Sequence, residues 1–595
     1  MSAHSPRVLS IVRRTLAGEP QGWADHVHPV LQRVYAARGV LCPDEAETRL
    51  SGLLPPGAIH GGEAAVDLLI DAIARQSHIV IAADFDCDGA CGAAIAVRGL
   101  RALGALNTGY VVPNRMVHGY GLSSALVETL EPAPDLIVTV DNGIASHAGV
   151  AAAKARGCKV IVTDHHLPGP RLPDADAIVN PQLGSDVLPK NLCGAGVVFY
   201  LLLALRARMR EQGKFAGCAE PDLSGLLDLV ALATVADLVP LDRNNRILVE
   251  AGLRRIRAGR ACAGIKALTE VAGCDPARLD AADFGYALAP RINAAGRLED
   301  MTLGIECLLA DAPAFAKELA AVLHGINGER RGLQDSMVAE AEAMLSRIDP
   351  GMCGISLFDP AWHQGVIGLV ASKIKERLHR PVVAFAPTAE GEASKPLRAS
   401  CAQQSKSGES SPHFSMLRGS ARSIPGFHIR DALAALDARE PGLIRRFGGH
   451  AMAAGLSLRA ADYDRFARSF DAIARERIAP ESLQALLHSD GELECGDFDP
   501  ELARQLRAAG PWGQGFPPPL FDNVFECVGW RRIGTEQRHL RVNLRDPRDG
   551  RVHAAVRFNA DSEPPPTLRA AYELAIDDWQ GVETLRLRLR HLEPV

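Results

Sequence analysis

The chain has 595 residues, too many for one hydrophobic core, so two to four domains are expected. Its hydrophobic fraction of 47% and net charge of −6 are those of an ordinary globular protein, without the strongly basic balance that would advertise a nucleic-acid-binding domain. No apolar run approaches the roughly 18 residues of a membrane span, Met1 to Gln21 lacks the apolar core of a secretory signal, and the 13 cysteines contain no Cys-x-x-Cys pair, so a cytoplasmic protein without a disulfide framework is expected.

In chain order, Val66 to Arg75 reads as a helix and Ile79 to Ala83 as a buried strand running into Asp84-Phe85-Asp86-Cys87-Asp88-Gly89. A helix over Ala90 to Gly104 follows, then a short strand at Tyr110-Val111-Val112. A strand over Leu136 to Val140 ends in Asp141-Asn142-Gly143 and leads into a helix over Ala148 to Arg156. The next strand, Lys159 to Val162, ends in Thr163-Asp164-His165-His166, and Ala177-Ile178-Val179 is another. This alternation implies βαβ units and a mostly parallel sheet, in which ligands bind beyond the carboxyl ends of the strands. Asp222 to Val235 reads as a helix stopped by Pro240, and Ala312 to Ile348 as a long helix joining two lobes.

A second α/β unit starts near Gly354, with strands at Ile355 to Phe358 and Val382 to Phe385 around a helix over Gly365 to Leu378. Glu390 to Ser415 is rich in Ser, Gly, Gln and Lys and reads as a loop. Short β-like runs at Val524 to Val528, His539 to Leu544, His553 to Phe558 and Thr584 to Leu589 suit a small β-barrel. Positive charge is local, crowding Arg418, Arg422, His428, Arg430, Arg445, Arg446 and His450, and again Arg531, Arg532, Arg538, His539, Arg541 and Arg545.

Three strands that end in carboxylates or imidazoles point to one site. A lone strand-end aspartate reads as a helix cap and a lone His-His pair as surface or core; together the clusters favour metal chemistry. Several converging carboxylates would repel one another and take up protons unless cations separate them. Oxygen ligands with imidazole suit Mn²⁺, with Mg²⁺ or Zn²⁺ as weaker alternatives, and Asp141 is the natural bridging carboxylate. Two such ions make phosphoester or phosphoanhydride hydrolysis the leading reaction class. Cys87 and Cys91 read as small packing residues, and Asp237, by spacing alone, as a helix-end turn.

Asp164-His165-His166 resembles the signature of the DHH phosphoesterase superfamily, and the wider match is to the RecJ single-stranded-DNA exonucleases. Asp84 to Gly89, Val140 to Gly143, Thr163 to Pro168 and Ala233 to Pro240 resemble four family motifs in turn. Further resemblance lies in Pro113-Asn114-Arg115 with Gly119 to Leu122, and in Pro290 to Arg297. Trp362 to Gly368, Gly419 to Ser423 and Phe447 to His450 resemble the associated DHHA1 domain, and Pro511 to Phe516 precedes what is similar to an oligonucleotide-binding barrel.

The resemblance implies an N-terminal segment (1–64), a parallel-sheet α/β DHH catalytic domain (65–305), a connecting long helix (306–350), a smaller α/β DHHA1 domain (351–465) and a C-terminal OB-like β-barrel (475–595). It implies that Asp84, Asp86, Asp141, His165, His166 and Asp237 hold two Mn²⁺ or Mg²⁺ ions, with Asp88 a further ligand or supporting group and Asp164 orienting the imidazoles. Arg115, Arg291, Asn293, Arg297, His363, Ser372, Arg422 and His450 would contact DNA or its phosphates. The implied activity is 5′→3′ exonuclease on single-stranded DNA in recombination and repair, by a monomer with a single-strand-binding protein and a helicase as partners. The competing readings are a phosphodiesterase for short oligonucleotides or small phosphoesters, and a non-catalytic DNA-binding relative. Two departures stand out: the stretch Ala389 to Leu417 is longer and more polar than in the family, and the chain ends after the barrel, without the extra C-terminal domain of some relatives.

Overall fold

A computed structural model describes residues 9–595 except 115–116, 185–189, 347, 389–414, 561 and 580–581. Arg115 and nearly all of the expected polar insertion at Ala389 to Leu417 therefore lie outside the described residues. The chain forms two compact units: Arg14–Asn327 with Ser489–Val595, and Gly328–His488 with the strand preceding residue 14.

The first unit is built on a five-stranded parallel sheet in the order Thr108–Val111, Ile79–Ala83, Leu136–Val140, Lys159–Thr163, Ala177–Val179. Its central strands are buried on both faces, which explains why they read as continuous apolar runs. The period of two sorts their side chains between two cores. Ile79, Ile81, Ala83, Val138, Val140 and Ile161 face one core, and Val80, Ala82, Ile137, Val160 and Val162 face the other. The register fixes what lies beyond the strands. Ala83 is opposite Val140 and Val140 opposite Thr163, so Asp84, Asp141 and Asp164 come off one sheet edge at the same level.

Several boundaries differ from the sequence expectation. The helix after the first strand runs from Cys87 to Ala102, because Asp86 caps it by accepting a hydrogen bond from the Gly89 amide. The helix carrying Asp237 at its end is Leu227–Ala236, preceded by a 3-10 turn at Leu223–Leu226. The long helix spans Pro313–Leu345.

The C-terminal barrel is closed, in the order Phe521–Ile533, His539–Arg545, Val552–Arg557, Val582–Pro594, Thr567–Trp579. Phe516, Phe521 and Phe525 are buried and continuous with one core of the parallel-sheet domain, whereas Trp530 is 40% exposed. In the second unit the sheet is mixed. Ile355–Phe358 and Val382–Pro387 are parallel, and Met416–Arg422, Ala453–Arg459 and Arg446–Gly449 continue it antiparallel.

The segment before the parallel sheet is tied to the chain that leads into the barrel. Arg38 lies in the tie with its side chain almost fully buried, donating Nη1 and Nη2 to the two oxygens of buried Asp490 at 2.8 and 3.0 Å and Nε to the Pro517 carbonyl at 2.7 Å. Removing one partner of such a pair leaves the other charge in the interior, here with Arg14, 3.4 Å from Asp490, as the remaining cation beside it. Arg38→Ala is therefore expected to lower the unfolding free energy of this unit by about 3–5 kcal/mol, measured by equilibrium urea denaturation; an unchanged midpoint would contradict the role given to this pair.

Candidate metal centre

The parallel register delivers the first groups. Asp84 follows its strand directly, and its Oδ1 accepts from the Phe85 amide at 2.8 Å. Asp141 follows the next strand with a left-handed φ of 62°, a conformation that costs energy for any residue with a Cβ. The surroundings hold it there. Its amide donates to the Thr163 carbonyl at 3.1 Å. The Asn142 amide nitrogen beside it donates to the carbonyls of Ala82 and Val140 at 3.0 and 2.9 Å, stitching two strand ends together. Gly194 presses on the same residue: a Cβ there would lie 2.4 Å from the Asp141 Cβ, so only glycine admits this approach.

Asp164 is buried and organises the histidines. Oδ1 accepts from the amides of His165 and His166 at 2.8 and 3.1 Å and lies 2.7 Å from Nδ1 of His166, while Oδ2 accepts from the Ile144 amide at 2.9 Å. Burial opposes its ionisation, but the His166 hydrogen bond and charge and these amides hold the carboxyl below its ordinary range. Burial likewise opposes charge on His166, and Asp164, with Asp84 and Asp86, overrides it and raises the imidazole's pKa. With a proton on Nδ1, the lone pair of His166 sits on Nε2.

Asp237, ambiguous by spacing, turns into the same space: its Oδ2 is 3.5 Å from Nε2 of His165, which is also 3.1 Å from Oδ1 of Asp141. Three overlapping groups result, each with donor atoms within 4.8 Å of one another: Asp84, Asp86 and Asp141; Asp141, His165 and His166; and Asp88, His165 and Asp237. Asp141 is common to the first two, as a bridging carboxylate would be. Burial, followed by the neighbouring carboxylates, pushes the Asp141 and Asp237 carboxyls well above their usual range. Oδ1 of Asp141 is buried and accepts no hydrogen bond from the described residues. A crowded set of oxygens and imidazoles with this property fits two divalent cations, which relieve the repulsion.

The other predicted site residues are placed variously. Asp88 is fully buried, and its two oxygens accept from the Gly194 and Ala195 amides at 2.6 and 2.9 Å, so its first task is to cap the Gly194–Glu211 helix. Burial and Asp86 raise its pKa to about 6 against those amides. Arg291 and Asn293 have partners within the unit. Arg291 is buried, donating Nε to Nδ1 of His324 at 3.2 Å and its other nitrogens to the Ala287 and Val271 carbonyls, so it ties helices together within the unit. Asn293 accepts from the Cys87 amide at 2.8 Å and steadies the acidic turn. Arg297 is half-buried in the last turn of the same helix, Ala289–Leu298.

His363, Ser372, Arg422 and His450 belong to the second unit. There Nδ1 of His363 accepts from the Gly365 amide, Ser372 donates to the Gly368 carbonyl at 3.0 Å, and Arg422 donates to Ser420 and the Ala421 carbonyl. His450 is exposed.

Sequence reasoning passed over two contributors. Asn180, at the end of the fifth strand, donates to the His166 carbonyl at 2.9 Å, and its signal was a polar residue at one more strand end. Tyr120 packs edge-on against both Phe85 and His166, with its hydroxyl 3.4 Å from the Asp141 carbonyl.

Comparison with known proteins bears on this geometry. Family models match residues 78–234 (DHH family, N-terminal domain), 351–476 (DHHA1 domain) and 489–591 (RecJ OB domain). The single-stranded-DNA-specific exonuclease RecJ of Salmonella typhimurium is 45% identical over 98% of this chain and 99% of its own. The crystal structure of RecJ in complex with Mn²⁺ from Thermus thermophilus superposes with a TM-score of 0.78 at 32% identity, covering 96% of this chain and 76% of that one. The Mg²⁺ complex of the same protein gives 0.73 at 30%, covering 96% and 75%. With 98% of its length matched to the Salmonella typhimurium relative at 45% identity and its acidic clusters gathered at one sheet edge, the chain belongs to the RecJ family of DHH phosphoesterases.

Proposed function

We infer that the protein is a metal-dependent exonuclease that degrades single-stranded DNA from the 5′ end, releasing mononucleotides in recombination and repair. The observation that carries this is the convergence of Asp84, Asp86, Asp141, His165, His166 and Asp237 on one edge of a rigid sheet. Those residues would hold two Mn²⁺ or Mg²⁺ ions. Bound there, such ions supply a water of lowered pKa and electrostatic stabilisation of a phosphoryl group. The chain itself contributes orientation: Asp164 fixes the His166 ring, and the strained turn at Asp141 aims its carboxylate.

The barrel favours a polymeric substrate over dinucleotides or small phosphoesters, which have no use for it. Its outer surface carries a cleft of about 310 Å³ lined by Gly529, Trp530, Arg531, Arg541 and Asn543. An exposed indole beside two guanidinium groups suits base stacking and backbone phosphates. Arg297, His363, Ser372, Arg422 and His450 are the further DNA contacts this reading proposes. It also carries a monomer working in the cytoplasm with a single-strand-binding protein and a helicase; among the described residues no helix is long and apolar enough to cross a membrane.

Asp141→Ala should lower Mn²⁺-dependent cleavage of 5′-labelled single strands on the order of a thousandfold and leave binding of the strand largely intact; unchanged cleavage would remove Asp141 from the centre. Because the Asp141 and Asp237 carboxyls are raised in the metal-free site, protons compete with the ions, so Mn²⁺ affinity should weaken as pH falls. Calorimetric titrations in buffers of different ionisation enthalpy should accordingly show protons released as Mn²⁺ binds, and no release at any pH would contradict the raised carboxyls. Trp530→Ala should cost about 1–3 kcal/mol of affinity for long single strands, read by fluorescence anisotropy; an unaltered affinity would take the indole out of the grip.

A further inference from the structure

The four residues after Asp237 lead directly onto the segment that enters the barrel. The strap begins under tension, since Leu238 has a left-handed φ of 59° and a 67% exposed side chain. It ends in a clamp. The Leu241 amide donates to the Gln514 carbonyl at 2.7 Å, and Asn245 donates to the Pro240 carbonyl at 2.9 Å. Opposite it, residues Gly513 to Phe516 close a tight turn, with the Gly513 amide donating to the Phe516 carbonyl at 2.8 Å and the Phe516 amide to the Gly513 carbonyl at 3.1 Å. That turn is anchored by Trp512, which stacks on Phe516 at 5.0 Å, and by Arg246, which lies 4.3 Å over the Phe516 ring while donating to the Glu45 carbonyl.

The two glycines of this turn are where it touches the strap. A Cβ at Gly513 would lie 2.7 Å from Cδ1 of Leu241, whose buried side chain has little room to swing away. Gly515 has a φ of +71°, and a Cβ there would lie 3.3 Å from Cβ of Pro240. The turn therefore sets the position of Pro240 and Leu241 at close range, and the short strap carries that constraint back to Asp237, which its own helix holds from the other side through the bond from its amide to the Ala233 carbonyl at 3.0 Å.

We infer that the Trp512–Phe516 turn is a positioning element of the metal centre: through Pro240 and Leu241 it sets the Asp237 carboxylate beside His165, so that seating of the barrel segment and completion of the Asp237 side of the site are one structural event. This rests on the metal-centre reading above. Asp84, Asp86 and Asp141 are held by the sheet and the helix that Asp86 caps, so disturbing the turn should act on one side of the site.

The test is calorimetric titration of the metal-free, full-length chain with Mn²⁺, in which Asp237→Asn marks the binding step that depends on this carboxylate. Gly513→Val and Gly515→Ala should weaken that same step by about tenfold or more while leaving the remaining binding within about twofold. Adding Leu241→Ala to Gly513→Val opens the space the new side chain needs and should recover most of the loss, a coupling that general destabilisation would not produce. Gly515→Ala and the double variant carry the test if Gly513→Val does not fold. If Asp237→Asn loses the step and the folded glycine variants bind as the unaltered chain does, or lose both steps equally without rescue, the positioning role is overturned. If Asp237→Asn also binds as the unaltered chain does, the assignment of Asp237 to the metal centre falls, and this inference with it.

Discussion

The mutual repulsion of carboxylates gathered at one buried sheet edge is the constraint on which the rest of the structure depends. Asp84, Asp86, Asp141 and Asp237 surround one space, and burial, followed by the charge of the neighbouring carboxylates, drives Asp141 and Asp237 toward protonation. A flexible scaffold would relax by letting these side chains swing apart. The parallel sheet prevents it: strand ends in register, the Asn142 stitch, the left-handed turn at Asp141 and the close approach of Gly194 leave the carboxylates no retreat. The cost of holding charges together is offset only when cations arrive, and the same rigidity then presents the cations to a substrate.

The support reaches well beyond the ligands. Asp164 spends both its oxygens on amides and on the His166 ring, and Asp88 spends both of its on the Gly194–Glu211 helix. Asn293 and Asn180 steady the loops that carry Asp86 and His166 from outside the signature motifs. Residues before the catalytic sheet join the barrel segment through Arg38 and Asp490, and that segment in turn meets the strap after Asp237. The barrel is thus built into the catalytic unit rather than hung from it, which suits an enzyme whose substrate is a long strand.

Much of this was legible in the sequence because buried parallel strands announce themselves as apolar runs, and their carboxyl ends announce themselves by Asp and His where a helix cap alone would have sufficed. Asp84, Asp141 and Asp164 can be aligned from the order of residues alone, since strand register follows from strand ends. Asp237 cannot, because nothing in the order of residues says which way the end of the Leu227–Ala236 helix faces; its amide stays bonded to the Ala233 carbonyl at 3.0 Å, and the strap that follows it meets Gly513 and Gly515, far away in the chain. Arg291 is a related case: its place beside a motif reads as a phosphate contact, and its burial and its bonds to His324 and two carbonyls are supplied only by the fold. The antiparallel strands Met416–Arg422, Arg446–Gly449 and Ala453–Arg459 escaped because their glycines erase the alternating pattern, and Thr567–Trp579 because mixed charged and apolar positions blur it.

The central claim is that one sheet edge and one helix end together hold two cations. Anomalous diffraction at the manganese edge, from crystals of the full chain grown with Mn²⁺, tests it most directly. The account requires two peaks that share Asp141, one flanked by Asp84 and Asp86 and the other by His165 and Asp237. A single peak that leaves Asp237 uncoordinated, or no peak at this edge, would contradict it.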